Sequence, residues 1–86
     1  MKIEVFKFSA SWCGPCRVLA NTLKDVEGIT PIDIDKDMET ARKYGIRSVP
    51  TMVFLKDGKE VHRQTGNMPL EKYNQILDEI KFSKEI

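Results

Sequence analysis

Long apolar runs are missing from this 86-residue chain, and so is any marked excess of charge. Its longest hydrophobic stretches span a handful of residues, far short of the roughly 20 that a membrane-crossing helix needs. Lysine and arginine total 14 against 13 acidic residues, and a net charge of +1 leaves no basic footprint for nucleic acid. Neither a membrane nor a nucleic acid is therefore an expected partner. Glycine-rich phosphate loops, repeats, linkers and low-complexity stretches are lacking too. The opening Met1-Lys2-Ile3-Glu4 alternates and carries an acid, so it does not read as a signal peptide. The expected setting is the cytoplasm, and the expected state a monomer. Histidine is represented by His62 alone and cysteine by Cys13 and Cys16. A zinc site wants four ligands, so no metal centre is expected.

What is present suits one globular domain over 1–86, with 41% hydrophobic and 31% charged residues. A chain of this size buries only about 60–65% of its unfolded surface, which predicts modest stability. Residues 2–8 (Ile3, Val5, Phe6, Phe8) predict a strand covered on both faces. Cys16, Leu19, Ala20, Leu23 and Val26 predict a helix over 13–26, ended by Gly28. A second strand follows over 29–35, with Ile32 and Ile34 alternating against Asp33 and Asp35. The helix between these strands makes them parallel. Asp37 reads as the N-cap of a helix over 38–44, with Gly45 just past its end. Strands over 51–56 and 59–65 flank Asp57-Gly58, a hairpin signal, and the polar second strand reads as an edge. Leu70, Tyr73, Ile76, Leu77 and Ile80 predict a helix over 69–82. Residues 83–86 are expected to fray.

The chemistry gathers at Ser11-Trp12-Cys13-Gly14-Pro15-Cys16, between a strand and a helix. A bridge across two residues closes too small a loop to constrain the unfolded chain much, and metal ligands are too few. A redox pair is the remaining reading. Helix-starting N–H groups carry partial positive charge and favour a thiolate over a thiol. Cys13, expected at the solvent-reachable helix mouth, is the candidate nucleophile; Cys16, one turn in and more covered, is the candidate resolving thiol. Gly14 and Pro15 shape the turn, and Trp12 reads as an apolar cover or substrate contact. His62, Lys56, Lys59 and Arg63 read as solvated.

Trp12-Cys13-Gly14-Pro15-Cys16 resembles the active-site pentapeptide of the thioredoxin family, residue for residue. Lys43 to Thr51 is similar to the family's approach to its cis-proline, and Phe54-Leu55-Lys56-Asp57-Gly58-Lys59 to its hairpin, followed by Gly66. The resemblance implies a minimal thioredoxin fold, an α/β protein of order βαβ-α-ββα. Its four-stranded mixed sheet has two helices on one face and one on the other, without the family's first strand and helix. It implies a protein-disulfide reductase with no bound cofactor beyond the Cys13–Cys16 disulfide. A thioredoxin reductase would recharge it, NADPH entering only through that enzyme. It further implies a cis Val49-Pro50 bond, main-chain pairing of substrate with Val49, and a groove rim at Gly66 and Asn67.

Three positions depart from the family, one of them Asn21, which replaces the proline that usually kinks the first helix. Lys7 stands where most members carry a buried aspartate beneath the cysteines, and Pro31 replaces its lysine partner. Lys7 is either a modulator of the thiol pKa values or a lysine that snorkels to water. Two other functions compete with the reductase. One is a glutaredoxin-like, glutathione-dependent enzyme, favoured by length but not by the Gly-Pro pair. The other is a non-redox interaction subunit that uses the Trp12, Val49, Pro50 and Gly66 surface.

Overall fold

The computed structural model describes residues 1–82; the fraying expected of 83–86 concerns residues outside those described. Strand β1 (Ile3–Ser9) leads into helix α1 (Gly14–Thr22), and the chain returns along strand β2 (Ile29–Asp33). Helix α2 (Met38–Lys43) precedes strands β3 (Thr51–Lys56) and β4 (Lys59–Thr65), and α3 (Leu70–Phe82) follows. The strands form one mixed sheet in the order β2-β1-β3-β4. β1 is parallel to β2, as a helical crossover requires, and antiparallel to β3.

Side chains of a strand alternate between the faces of its sheet, and here each face has its own partner. Val5, Met52 and Phe54 meet Leu19 of α1, Leu23 at its C-cap, and Tyr73, Ile76 and Ile80 of α3. Phe8, Val53 and Leu55 meet Tyr44, Ile46 and Val49 on the α2 side. Two helices thus share one face and α2 takes the other. Every residue of β3 is buried, because this strand has neighbours on both edges and layers on both faces.

Local chemistry sets several boundaries. Asp37 caps α2, its Oδ1 accepting from the Thr40 N–H at 3.2 Å. Past the other end of α2, Gly45 takes φ 63°. The Gly45 N–H donates to the Arg42 carbonyl and the Ile46 N–H to the Ala41 carbonyl, which together make a Schellman closure. Asp57 and Gly58 both have positive φ, the conformation a two-residue hairpin needs to match strand twist.

Five expectations are corrected. α1 stops at Thr22, short of 26. The turn tightens there, with the Val26 N–H donating to the Leu23 carbonyl at 3.0 Å, while Leu23 and Val26 keep their place against the core. β2 stops at Asp33, whose Oδ1 accepts from the Asp35 N–H at 2.9 Å and bends the chain away. Lys56 is buried, not solvated: its Nζ donates to the Ile80 carbonyl near the end of α3, where carbonyls lack helical donors. His62 is half-buried, its ring edge-on to Phe54 with centroids 5.6 Å apart, and its Nε2 lacks a partner among the described residues. Leu70 is exposed, so the apolar stripe of α3 begins at Tyr73.

Burial raises the Tyr73 phenol above its ordinary value of 10.0. The unfolded chain therefore ionises first, and the stability gained by keeping Tyr73 neutral is full below pH about 10 and lost as pH rises beyond it. Tyr73→Phe is expected to soften the alkaline decline of stability in urea unfolding between about pH 8 and 11. An identical decline in both proteins would contradict this.

Candidate active site: two sulfurs at a helix mouth

β1 ends at Ser9, and a short loop carries the chain onto α1. The Cys13 N–H donates to the Ala10 carbonyl at 3.1 Å, which closes that loop. Cys13 then occupies the N-cap of α1 with extended backbone (φ −93°, ψ 106°), and its Sγ accepts from the Cys16 N–H at 3.1 Å. A capping residue normally supplies an oxygen to an orphan N–H of the first turn; here it supplies a sulfur. Pro15 lies in that turn, where its missing N–H leaves nothing unsatisfied. Cys13 and Cys16 are joined as a disulfide, with Cα atoms 5.3 Å apart.

The opposite wall comes from the segment between α2 and β3. The Val49-Pro50 peptide bond is cis, and the Val49 carbonyl oxygen lies 3.7 Å from Cys13 Sγ. That sulfur has no proton in the oxidised state, so this is a contact rather than a hydrogen bond. Thr51 Oγ1 donates to the Ser48 carbonyl at 2.8 Å, and the Gly66 N–H donates to the Pro50 carbonyl at 2.8 Å. The loop after β4 is thereby fastened to the proline loop, with Asn67 exposed beside it.

The thioredoxin family model matches residues 1–79. The chain belongs to the thioredoxin family. A thioredoxin of Bacillus subtilis is 38% identical over 78 residues, covering 83% of this chain and 75% of its own length. The reduced thioredoxin pre-protein of Schistosoma mansoni superimposes with TM-score 0.80 at 34% identity, over 90% of this chain and 78% of that one. A mutant thioredoxin from Halobacterium salinarum NRC-1 reaches TM-score 0.84 at 26% identity, over 98% and 77%. Family membership and the Cys-x-x-Cys disulfide together make the chain a dithiol-disulfide oxidoreductase, a protein-disulfide reductase of the thioredoxin type.

Within this thioredoxin site the residues named from sequence converge: Cys13 and Cys16 meet Val49, and Pro50 meets Gly66. One expectation fails. Cys13 is as buried as Cys16, because Ala10 and Val49 close over it with the half-buried Ile34. Trp12 is 65% exposed, and its Nε1 donates to Asp35 Oδ2 at 2.9 Å. Asp35 was not singled out; its only signal was the density of aspartate at 33, 35 and 37 after an apolar strand. Arg17 was missed as well, although a cation directly after Cys16 opposes the local helix polarity. Its Nη1 donates to the Ser11 carbonyl at 2.9 Å. Lys7 is half-buried and pairs across the sheet with Pro31 and Met52, which puts it on the face covered by α1 and α3. It makes no hydrogen bond or ion pair among the described residues. No group of three or more metal-binding side chains occurs among those residues, and no helix there is long and apolar enough to cross a membrane.

A Cβ would meet nothing within 4 Å at either Gly14 or Gly66, but Gly66 has φ +87°. Gly66→Ala is therefore expected to cost about 1–2 kcal/mol through backbone strain alone. Gly14→Ala, in the first helical residue, is expected to stay within about 1 kcal/mol of the parent. Urea denaturation of the oxidised proteins checks both, and equal effects would remove conformation as the cause.

Proposed function

We propose that Cys13 is the attacking thiol and Cys16 the resolving one. The observation that carries this is the Cys16 N–H aimed at Cys13 Sγ from 3.1 Å. In the reduced protein a Cys13 thiolate would gain that donor and the field of the α1 N-terminus, whereas Cys16, inside the helix, has no equivalent cap. Thiolate Cys13 attacks one sulfur of a substrate disulfide. The S–S bond breaks, the distal substrate sulfur leaves as a thiolate, and a mixed disulfide remains. Cys16, after losing its proton, attacks Cys13 Sγ. The second substrate sulfur leaves, and the Cys13–Cys16 bond forms. Two electrons pass to the substrate, and its two thiolates take up protons from Cys16 and the solvent.

The substrate lies between Trp12 and the proline loop. Its extended backbone pairs with the main chain of Val49 by strand addition, beside Pro50, and Gly66 and Asn67 form the far rim. Gly14 and Pro15 present the flat, stiff turn over which it passes. Lys7, on the face beneath α1, adds positive potential that favours thiolate over thiol. A thioredoxin reductase, drawing on NADPH through its own flavin, returns the pair to the dithiol. The chain works as a monomeric single domain in the cytoplasm.

The decisive experiment is reduction of insulin disulfides with two donor systems, NADPH with thioredoxin reductase and glutathione with its reductase. Turnover is expected with the first; turnover with the second alone would transfer the chain to the glutaredoxin class. Cys16→Ser is expected to accumulate a covalent adduct with insulin, and Cys13→Ser to form none. Thiolate absorbance should place Cys13 below the free-cysteine value of about 8.5. Lys7→Ala is expected to move a thiol upward, and unmoved titrations would leave Lys7 outside the chemistry.

A further inference from the structure

Two exposed hydrogen bonds converge on the dipeptide that precedes Cys13. Asp35 accepts from the Trp12 indole, and the Ser11 carbonyl accepts from the Arg17 guanidinium, each at 2.9 Å. The second bond reaches from the start of α1 back into the loop that feeds it. A cation there costs the helix something, because the N-terminal end already carries partial positive charge and the first turn of α1 has no acid to offset it. Trp12 is 65% exposed, so packing does little to fix it. A large side chain with that much surface in water samples several rotamers unless its backbone and its polar tip are both tied. Here both are tied, from two different elements.

We propose that Arg17 is a positioning residue: by holding the Ser11 carbonyl it fixes the backbone under Trp12, so that, with Asp35 on the indole, the ring stands preformed beside the disulfide. The proposal deepens the reading of Trp12 as a contact for protein substrates and rests on it. A planar guanidinium with donors in a fixed fork suits this reach, whereas a lysine ends sooner, in a single point charge on a flexible stem. The benefit goes to protein substrates, which use the ring. Small disulfides that reach only the sulfurs gain little. Loosening the ring returns an ordering cost to the binding step, equivalent to about two- to tenfold in KM.

The test uses Arg17→Met and Arg17→Lys, with Trp12→Ala as reference. Both positions are exposed, and circular dichroism verifies that each of the three variants folds. Trp12 is the sole tryptophan, so its anisotropy decay reports on this ring alone. Both Arg17 variants are expected to depolarise faster. Each should also raise KM for insulin about two- to tenfold while leaving turnover of a small aromatic disulfide within about twofold. Unchanged anisotropy and KM in Arg17→Met would overturn the proposal. So would full recovery in Arg17→Lys, which would assign the effect to charge alone. If Trp12→Ala leaves the KM for insulin at the parent value, the substrate-contact reading falls, while the anisotropy still decides whether Arg17 holds the ring.

Discussion

A sulfur caps a helix, and the rest of the site follows from that. An oxygen cap satisfies an orphan N–H equally well throughout a protein's working life. A sulfur cap satisfies it weakly as a disulfide and strongly as an anion, so the strength of the contact changes with redox state. For Cys13 to hold this place, the loop after β1 must lift the chain clear of the sheet, and the Ala10 carbonyl closes it. Pro15 must take a position where no competing N–H is missed, and α1 must be anchored by Leu19 and Leu23 against Val5 and Met52. The apolar face of a nine-residue helix thus holds its polar end where chemistry needs it.

The facing wall is fastened with comparable care and by independent means. The Schellman closure of α2 delivers the chain into 46–50, and Thr51 and Gly66 hold that segment from β3 and from the loop after β4. Arg63 adds a bond from the sheet edge: its guanidinium donates to the Tyr44 carbonyl while paired with Glu60, and that pairing holds it protonated more firmly than usual. Each bond is modest, but they act on one short stretch of backbone. Both sulfurs are buried in the oxidised state, whereas Trp12 stands exposed beside them.

Legibility in the sequence followed the range of the interactions. Asp37, Gly45 and Asp57-Gly58 act on their own neighbours, and the boundaries they set were readable. The end of α1 was not, because Leu23 and Val26 keep a helical spacing while the turns beneath them tighten. β2 was overextended because Asp33 and Asp35 satisfy strand alternation, yet the Asp33 side chain bends the backbone. Lys56 and His62 looked solvated by composition; their burial depends on α3, whose approach no local pattern encodes. The same holds for Asp35 and Arg17. Their partners lie in other segments, and a hydrogen bond between segments leaves no periodic trace. The two sulfurs and the proline loop were legible because their spacing and order are shared with the family.

On the proposed role of Lys7, that residue and Pro31 bear on how the site is poised. Lys7 brings an ammonium to the face beneath α1, next to a residue in β2 that carries no charge to offset it. The helix end contributes the same sign at the mouth, and Asp35 is already engaged by Trp12. Positive surroundings stabilise thiolates, hence the reduced pair, and a stabilised dithiol is a weaker reductant. Pro15 pulls the other way, since a stiff turn holds the sulfurs close and favours closing the ring. On the proposed roles of Lys7 and Pro15, the reducing power is a difference between two terms, one electrostatic and one conformational. An acid at position 7 would have placed negative charge on the electrostatic side of that balance, and the lysine places positive charge there.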